Sequence, residues 1–142
     1  MSIGMQNNAK ISQILGVDFG TAKIGLAMAD TEMKIAFTYA TLKNDENFLT
    51  DLAKIIEQER IETIVIGIPT YLRREKKETA GEKLGGVIQK AFSRMKIEYQ
   101  NEMFTTKSAQ DNLIAKGMKN VGKHDDAEAA KIILQEWLDR AC

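Results

Sequence analysis

The sequence predicts an α/β fold: one mixed five-stranded sheet, ordered β-β-β-α-β-α-β-α-α along the chain, with helices on both faces. Three observations predict it. The first third of the chain carries short apolar runs joined by tight turns, the hydrophobic period then changes from two to that of a helix, and strand and helix patterns alternate from there on. Strands joined by short turns pair antiparallel, whereas strand–helix–strand alternation builds parallel pairs covered by helices.

Each element has its own reason. "QILGVDF" is an apolar run of buried-strand length. "KIGLAMAD" alternates Ile24, Leu26 and Met28 with Gly25, Ala27 and Ala29, the period of a strand. "KIAFTYATL" brings aromatic and β-branched residues and is expected as the third strand. In "NFLTDLAKIIEQER", Phe48, Leu52, Ile55 and Ile56 follow the spacing of one helix face. "IETIVIGIP" is a continuous apolar strand closed by Gly67 and the only proline, Pro69. A helix is expected over 79–94, and "KIEYQNE" supplies the fifth strand. "TTKSAQDNLIAKG" reads as a helix with a Thr or Ser cap and Gly117 just past its end. The last helix is expected from near Asp125 to about Arg140.

The 142 residues fit a single domain over 1–142, with 1–12 as a flexible N-terminal arm. A hydrophobic content of 44% with 28% charged residues is that of a soluble globular protein. No apolar stretch is long enough to span a bilayer, and the opening "MSIGMQNNAK" lacks the basic flank and apolar core of a signal peptide. One cysteine and one histidine exclude a disulfide framework and a Cys/His zinc site, which leaves a cytoplasmic protein as the expectation. Net charge is zero, yet its distribution is uneven: residues 71–96 hold 8 basic and 3 acidic side chains, while 1–70 hold 6 and 9. Within the basic block, "YLRREKKE" is either a solvated surface or a patch that contacts phosphate, because local rather than net charge guides nucleic acid.

The chemistry starts at "GVDFGTAKIGLAMAD", where a buried run ends in Asp18 beside Gly20 and Gly25. A carboxylate at the mouth of a buried strand is costly unless it is hydrogen-bonded, paired or bound to a metal. The last helix offers a partner. Ala130, Ile133, Leu134, Trp137, Leu138 and Ala141 form one stripe, and Asp126, four residues before Ala130, falls on its edge, facing the sheet. Asp125 points about 100° away and, with Glu128 three residues on, is expected to cap the helix. Acids also favour a first helical turn through the macrodipole alone, so it is the inward aspect of Asp126 that marks it. A third acid, Glu102, ends the fifth strand, where parallel sheets line their ligand crevices. Strict alternation puts it on the face of Glu98 and Gln100.

Taken in order, "VDFGTAKIGLAMAD", "IVIGIP", "NEMFTT" and "DAEAAKIILQEWL" resemble the YqgF/RuvX family over residues 14–139, nearly the whole chain. The resemblance implies an RNase H-like fold and a nuclease of a kind described both as a Holliday junction resolvase and as a pre-16S rRNA nuclease. It implies an acidic site at Asp18, Glu102 and Asp126, with Gly20 and Gly25 as glycines where the chain turns tightly beside a metal. Two departures stand out. The family's Asp-Glu-Arg segment is Asn101-Glu102-Met103 here, and the loop after Pro69 is "TYLRREKKE" in place of a Leu-Asn-x-x-Gly-like sequence.

Three converging carboxylates repel one another; a divalent cation resolves the conflict, and an all-oxygen ligand set favours Mg²⁺ or Mn²⁺. Two such ions would serve phosphodiester hydrolysis, with Asp18 bridging and Glu102 and Asp126 each completing one shell. The expected activity is thus that of a metal-dependent hydrolase, endo- or exonucleolytic, in 5′-end processing of pre-16S rRNA, with Holliday junction resolution as the alternative. Lys23, Arg73, Arg74, Lys76 and Lys77 are the expected phosphate contacts, with His124 a weaker one. Structured RNA or branched DNA is the expected partner, no membrane is, and the protein is expected as a monomer or weak homodimer. Two rivals remain. Asp-x-Gly-Thr at 18–21 also resembles the phosphate loop of actin-like ATPases and sugar kinases, which need two such domains. The other is a nucleic-acid-binding protein that keeps the fold without catalysis.

Overall fold

The computed structural model describes residues 12–68, 78–101 and 121–141, with side chains of the last segment from Asp126 onward. Its elements are β1 (Gln13–Phe19), β2 (Lys23–Asp30), β3 (Phe37–Lys43), α1 (Phe48–Glu59), β4 (Ile61–Ile68), α2 (Ala80–Ala91), β5 (Lys96–Asn101) and α3 (Val121–Ala141). The strands form one sheet in the order β3-β2-β1-β4-β5. β1–β2 and β2–β3 are antiparallel, β1–β4 and β4–β5 parallel, so β1 sits at the centre, where the two kinds of pairing meet. This is the mixed sheet the sequence predicts. The helix expected over 105–117 and all but the last residue of the N-terminal arm lie outside the described residues.

Alternation along β1, β2 and β4 divides the core in two. On one face Leu15, Val17, Ile24, Leu26, Met28, Ile64 and Ile66 pack against Phe48, Leu52 and Ile55 of α1 and Leu84 and Ile88 of α2. On the other, Ile14, Ala27, Ala29 and Val65 pack under Ala130, Ile133, Leu134 and Leu138 of α3. The stripe read from the sequence is thus the buried face of α3, although Trp137 is half-buried and Ala141, the last helical residue, is exposed.

Three boundaries differ from expectation for local reasons. β3 begins at Phe37 rather than Lys34, because the Asp30 carboxylate accepts from the Glu32 backbone N–H at 3.0 Å and Lys34 turns with φ of 58°. α2 begins at a capping box: the Thr79 hydroxyl accepts from the Glu82 N–H at 3.1 Å, while the Glu82 carboxylate accepts from the Thr79 N–H at 2.9 Å. α3 begins at Val121, so Asp125 lies inside the helix and is not its cap, which corrects the role expected for it.

Candidate active site

Asp18 lies one residue from the carboxyl end of the central strand, half-buried. Its direct cross-strand partner is Gly25 of β2. Opposed residues of an antiparallel pair project to the same face, and the face here is that of α3. A Cβ built on Gly25 would overlap the backbone carbonyl oxygen of Asp126 and come within 2.7 Å of the Ala127 nitrogen. Gly16, two residues before Asp18 and therefore on the same face, lies under α3 as well. A Cβ there would come within 2.7 Å of Leu134 Cβ and 3.0 Å of the Ala130 carbonyl oxygen. The helix backbone is thus seated on two positions without side chains, and its Asp126 turn rests on the residue beside Asp18.

This contact revises the part expected of Gly25. It is not a turn residue but lies within β2, where its missing side chain admits the helix. The turn proper is Gly20–Ala22, and it is fastened to the far side of the sheet edge. Asn44, just past β3, donates through Nδ2 to the Gly20 carbonyl at 2.8 Å and through its backbone N–H to the Ala22 carbonyl at 3.0 Å. Nothing in the local sequence pattern singles out Asn44.

The parallel strands bring further groups to the same face. Val17 pairs with Ile66, and Ile66 with Tyr99. One step along, Gly67 pairs with Gln100. Gln100 is buried, and its Oε1 accepts from Arg140 of α3 through Nη2 at 2.7 Å and Nε at 3.3 Å. Forty residues separate the two, so no sequence pattern could have found this link. It identifies the face of Gln100 as the α3 face.

Of the acids expected in the site, Asp126 rests its backbone on Gly25, the strand partner of Asp18, and Glu102 lies outside the described residues. Among the described residues no group of three or more acidic, histidine or cysteine side chains forms. Lys23 is exposed at the start of β2, two residues before Gly25 and on its face. Arg73, Arg74, Lys76, Lys77, Met103 and the side chains of His124 and Asp125 lie outside the described residues. No helix among those described is long and apolar enough to cross a membrane.

The family model described as "RuvX: Holliday junction resolvase" matches residues 12–140. A protein of Maridesulfovibrio salexigens named "Putative pre-16S rRNA nuclease" is 32% identical over 135 residues, covering 91% of this chain and 99% of that one. A relative of the same name from Sulfurihydrogenibium sp. is also 32% identical, with 92% of each chain covered. Among solved structures, RuvC of T. thermophilus in complex with a Holliday junction substrate is similar with a TM-score of 0.55 at 15% identity, covering 92% of this chain and 95% of that one. The fowlpox virus resolvase bound to Holliday junction DNA gives 0.56 at 14%, covering 91% and 98%. At these identities the likeness concerns the fold, which is RNase H-like.

Proposed function

This chain belongs to the RuvX family, and from that membership we propose that it is a nuclease hydrolysing phosphodiester bonds, with 5′-end processing of pre-16S rRNA as its task. The names carried by relatives 32% identical over most of their length support the rRNA substrate. The observation that carries the chemistry is the seat of α3 on Gly25, which brings Asp126 against the strand partner of Asp18.

The donor set suits a hard divalent cation. Carboxylate oxygens are the ligands Mg²⁺ and Mn²⁺ take, and the Asp126 turn of α3 rests on Gly25, the strand partner of Asp18. Asp18 and Asp126, with Glu102, would hold it. When bound, such an ion supplies an activated water and charge stabilisation at the leaving oxygen. The rest is the work of the chain. Asp18 sits on the strand hydrogen-bonded on both sides and is held in place, the Gly25 contact fixes the Asp126 turn, and exposed Lys23 offers a positive charge to the substrate backbone.

Purified protein assayed on a precursor rRNA fragment, with and without Mg²⁺, tests the reading. Cleavage is expected only with the metal, and Asp18→Asn is expected to abolish it while the melting temperature holds. Undiminished cleavage by Asp18→Asn would remove the mechanism. A second reading, resolution of four-way junctions, is favoured by the family description and by the resolvase fold. A two-fold symmetric substrate calls for two active sites, hence a dimer. Cleavage of a junction in preference to the rRNA fragment, by a protein sedimenting as a dimer, would establish that reading instead.

A further inference from the structure

β2 and β3 place two lysines side by side at the rim of the candidate site. Lys23 and Lys43 are direct cross-strand partners, the last pair of the ladder, and both are exposed. Their neighbours fix their direction. Ile24 and Leu42, the next pair inward, pack with the core on the α1 and α2 side, so the lysines alternate to the α3 side. Gly25 follows Lys23 by two residues, lies beside Asp18 and carries the Asp126 turn on that side. Both lysines therefore lie on the α3 side of the sheet, the next pair on that face beyond the seat of the Asp126 turn.

This arrangement has a cost in the free protein. Directly opposed side chains of an antiparallel pair have Cβ atoms about 4.5–5.5 Å apart, and like charges there destabilise the sheet. Neither lysine joins an ion pair among the described residues. The support beneath them is nonetheless fastened, since Asn44, adjacent to Lys43, bonds twice to the turn that precedes Lys23. A repulsive pair on a tethered support is relieved by an anion placed between the two charges.

We propose that Lys23 and Lys43 together grip one backbone phosphate of the nucleic-acid strand, adjoining the phosphate presented to Asp18 and Asp126, and that Asn44 is the positioning residue for both. The nuclease reading supplies the identity of the anion. Local charge could not have pointed to Lys43, which lies in the part of the chain with more acids than bases.

Salt titration of binding tests this directly. With EDTA present, so that no strand is cut, binding of a labelled precursor rRNA fragment is measured at several salt concentrations. Each phosphate contact contributes about 0.7 to the slope of log Kobs against log salt for a single strand and about 0.9 for a duplex. Lys23→Ala and Lys43→Ala are each expected to lower the slope by about that amount, and Lys43→Arg to retain it. Lys54→Ala and Lys90→Ala, on helices of the opposite face, are expected to leave it unchanged. In the cleavage assay Asn44→Ala is expected to raise KM with kcat held, and Lys43→Thr to raise the melting temperature of the free protein. An unaltered slope for Lys43→Ala in a wild-type protein that binds overturns the phosphate grip and leaves the nuclease reading standing. A wild-type protein that binds neither rRNA nor a junction overturns both.

Discussion

The two faces of the sheet are built from different residues for different ends. On the α1 and α2 face, β2 contributes Ile24, Leu26 and Met28; on the α3 face the same strand contributes Gly25, Ala27 and Ala29. Large aliphatic side chains hold two helices off the first face and bury much apolar area, which is where a domain of this size draws its stability. Small residues on the second face let one helix come down until its backbone touches the strand. Close approach buries Ile133, Leu134 and Leu138 of the helix and also fixes a distance, the one between the Asp126 turn and Asp18. Both faces stabilise, and the second also positions.

That division can be broken by substitution. Leu26→Ala, in the large-residue core, is expected to cost about 2–5 kcal/mol, read as a fall in the denaturation midpoint, with cleavage per folded molecule unchanged. Gly25→Ala is expected to cost about 3 kcal/mol, the upper end of overpacking, since its Cβ meets helix backbone and not a side chain that can swing away. Its signature should be cleavage lost well beyond the unfolded fraction; activity that merely tracks stability would dissolve the distinction between the faces. Thr79→Ala removes the capping box of α2 and is expected to cost about 0.5–2 kcal/mol, with no change in kcat, because α2 lies on the face opposite α3.

The smallest expected effect sharpens the same contrast. The Tyr39 hydroxyl donates to Glu59 Oε2 at 3.0 Å, and burial, then the Glu59 hydrogen bond and charge, raise its pKa above the ordinary 10.0. The folded state favours the neutral phenol, so this contribution is intact below the unfolded value and is lost as pH climbs through the folded one. Tyr39→Phe is expected to cost about 0.5–1.5 kcal/mol at neutral pH and to flatten the alkaline fall in stability. Cleavage at pH 7 should be unaffected.

The sheet was legible in the sequence because its signal is periodic. Ile24, Leu26 and Met28 announce β2 by alternation, and Ala130, Leu134 and Leu138 announce the buried stripe of α3. What periodicity does not carry was missed. The first turn of α3, beginning at Val121, has no apolar stripe to announce it, and the Asp125–Glu128 spacing imitates a cap. Alternation places Gly25 in β2, but its sequence neighbourhood does not contain the helix that lies on it. The Gln100–Arg140 link, the Asn44 tether and the Lys23–Lys43 pair each join residues from separate elements. They come into being only once strand register is set.

The central place of β1 has a consequence for how the site breathes. A strand laddered on both edges exchanges its amide protons only when the whole domain opens, so Leu15 and Val17, just before Asp18, should be among the slowest amides to exchange, with protection free energies matching global unfolding. Tolerance of the site to heat and denaturant is then that of the entire fold, and catalysis should persist up to the melting transition with no earlier inactivation.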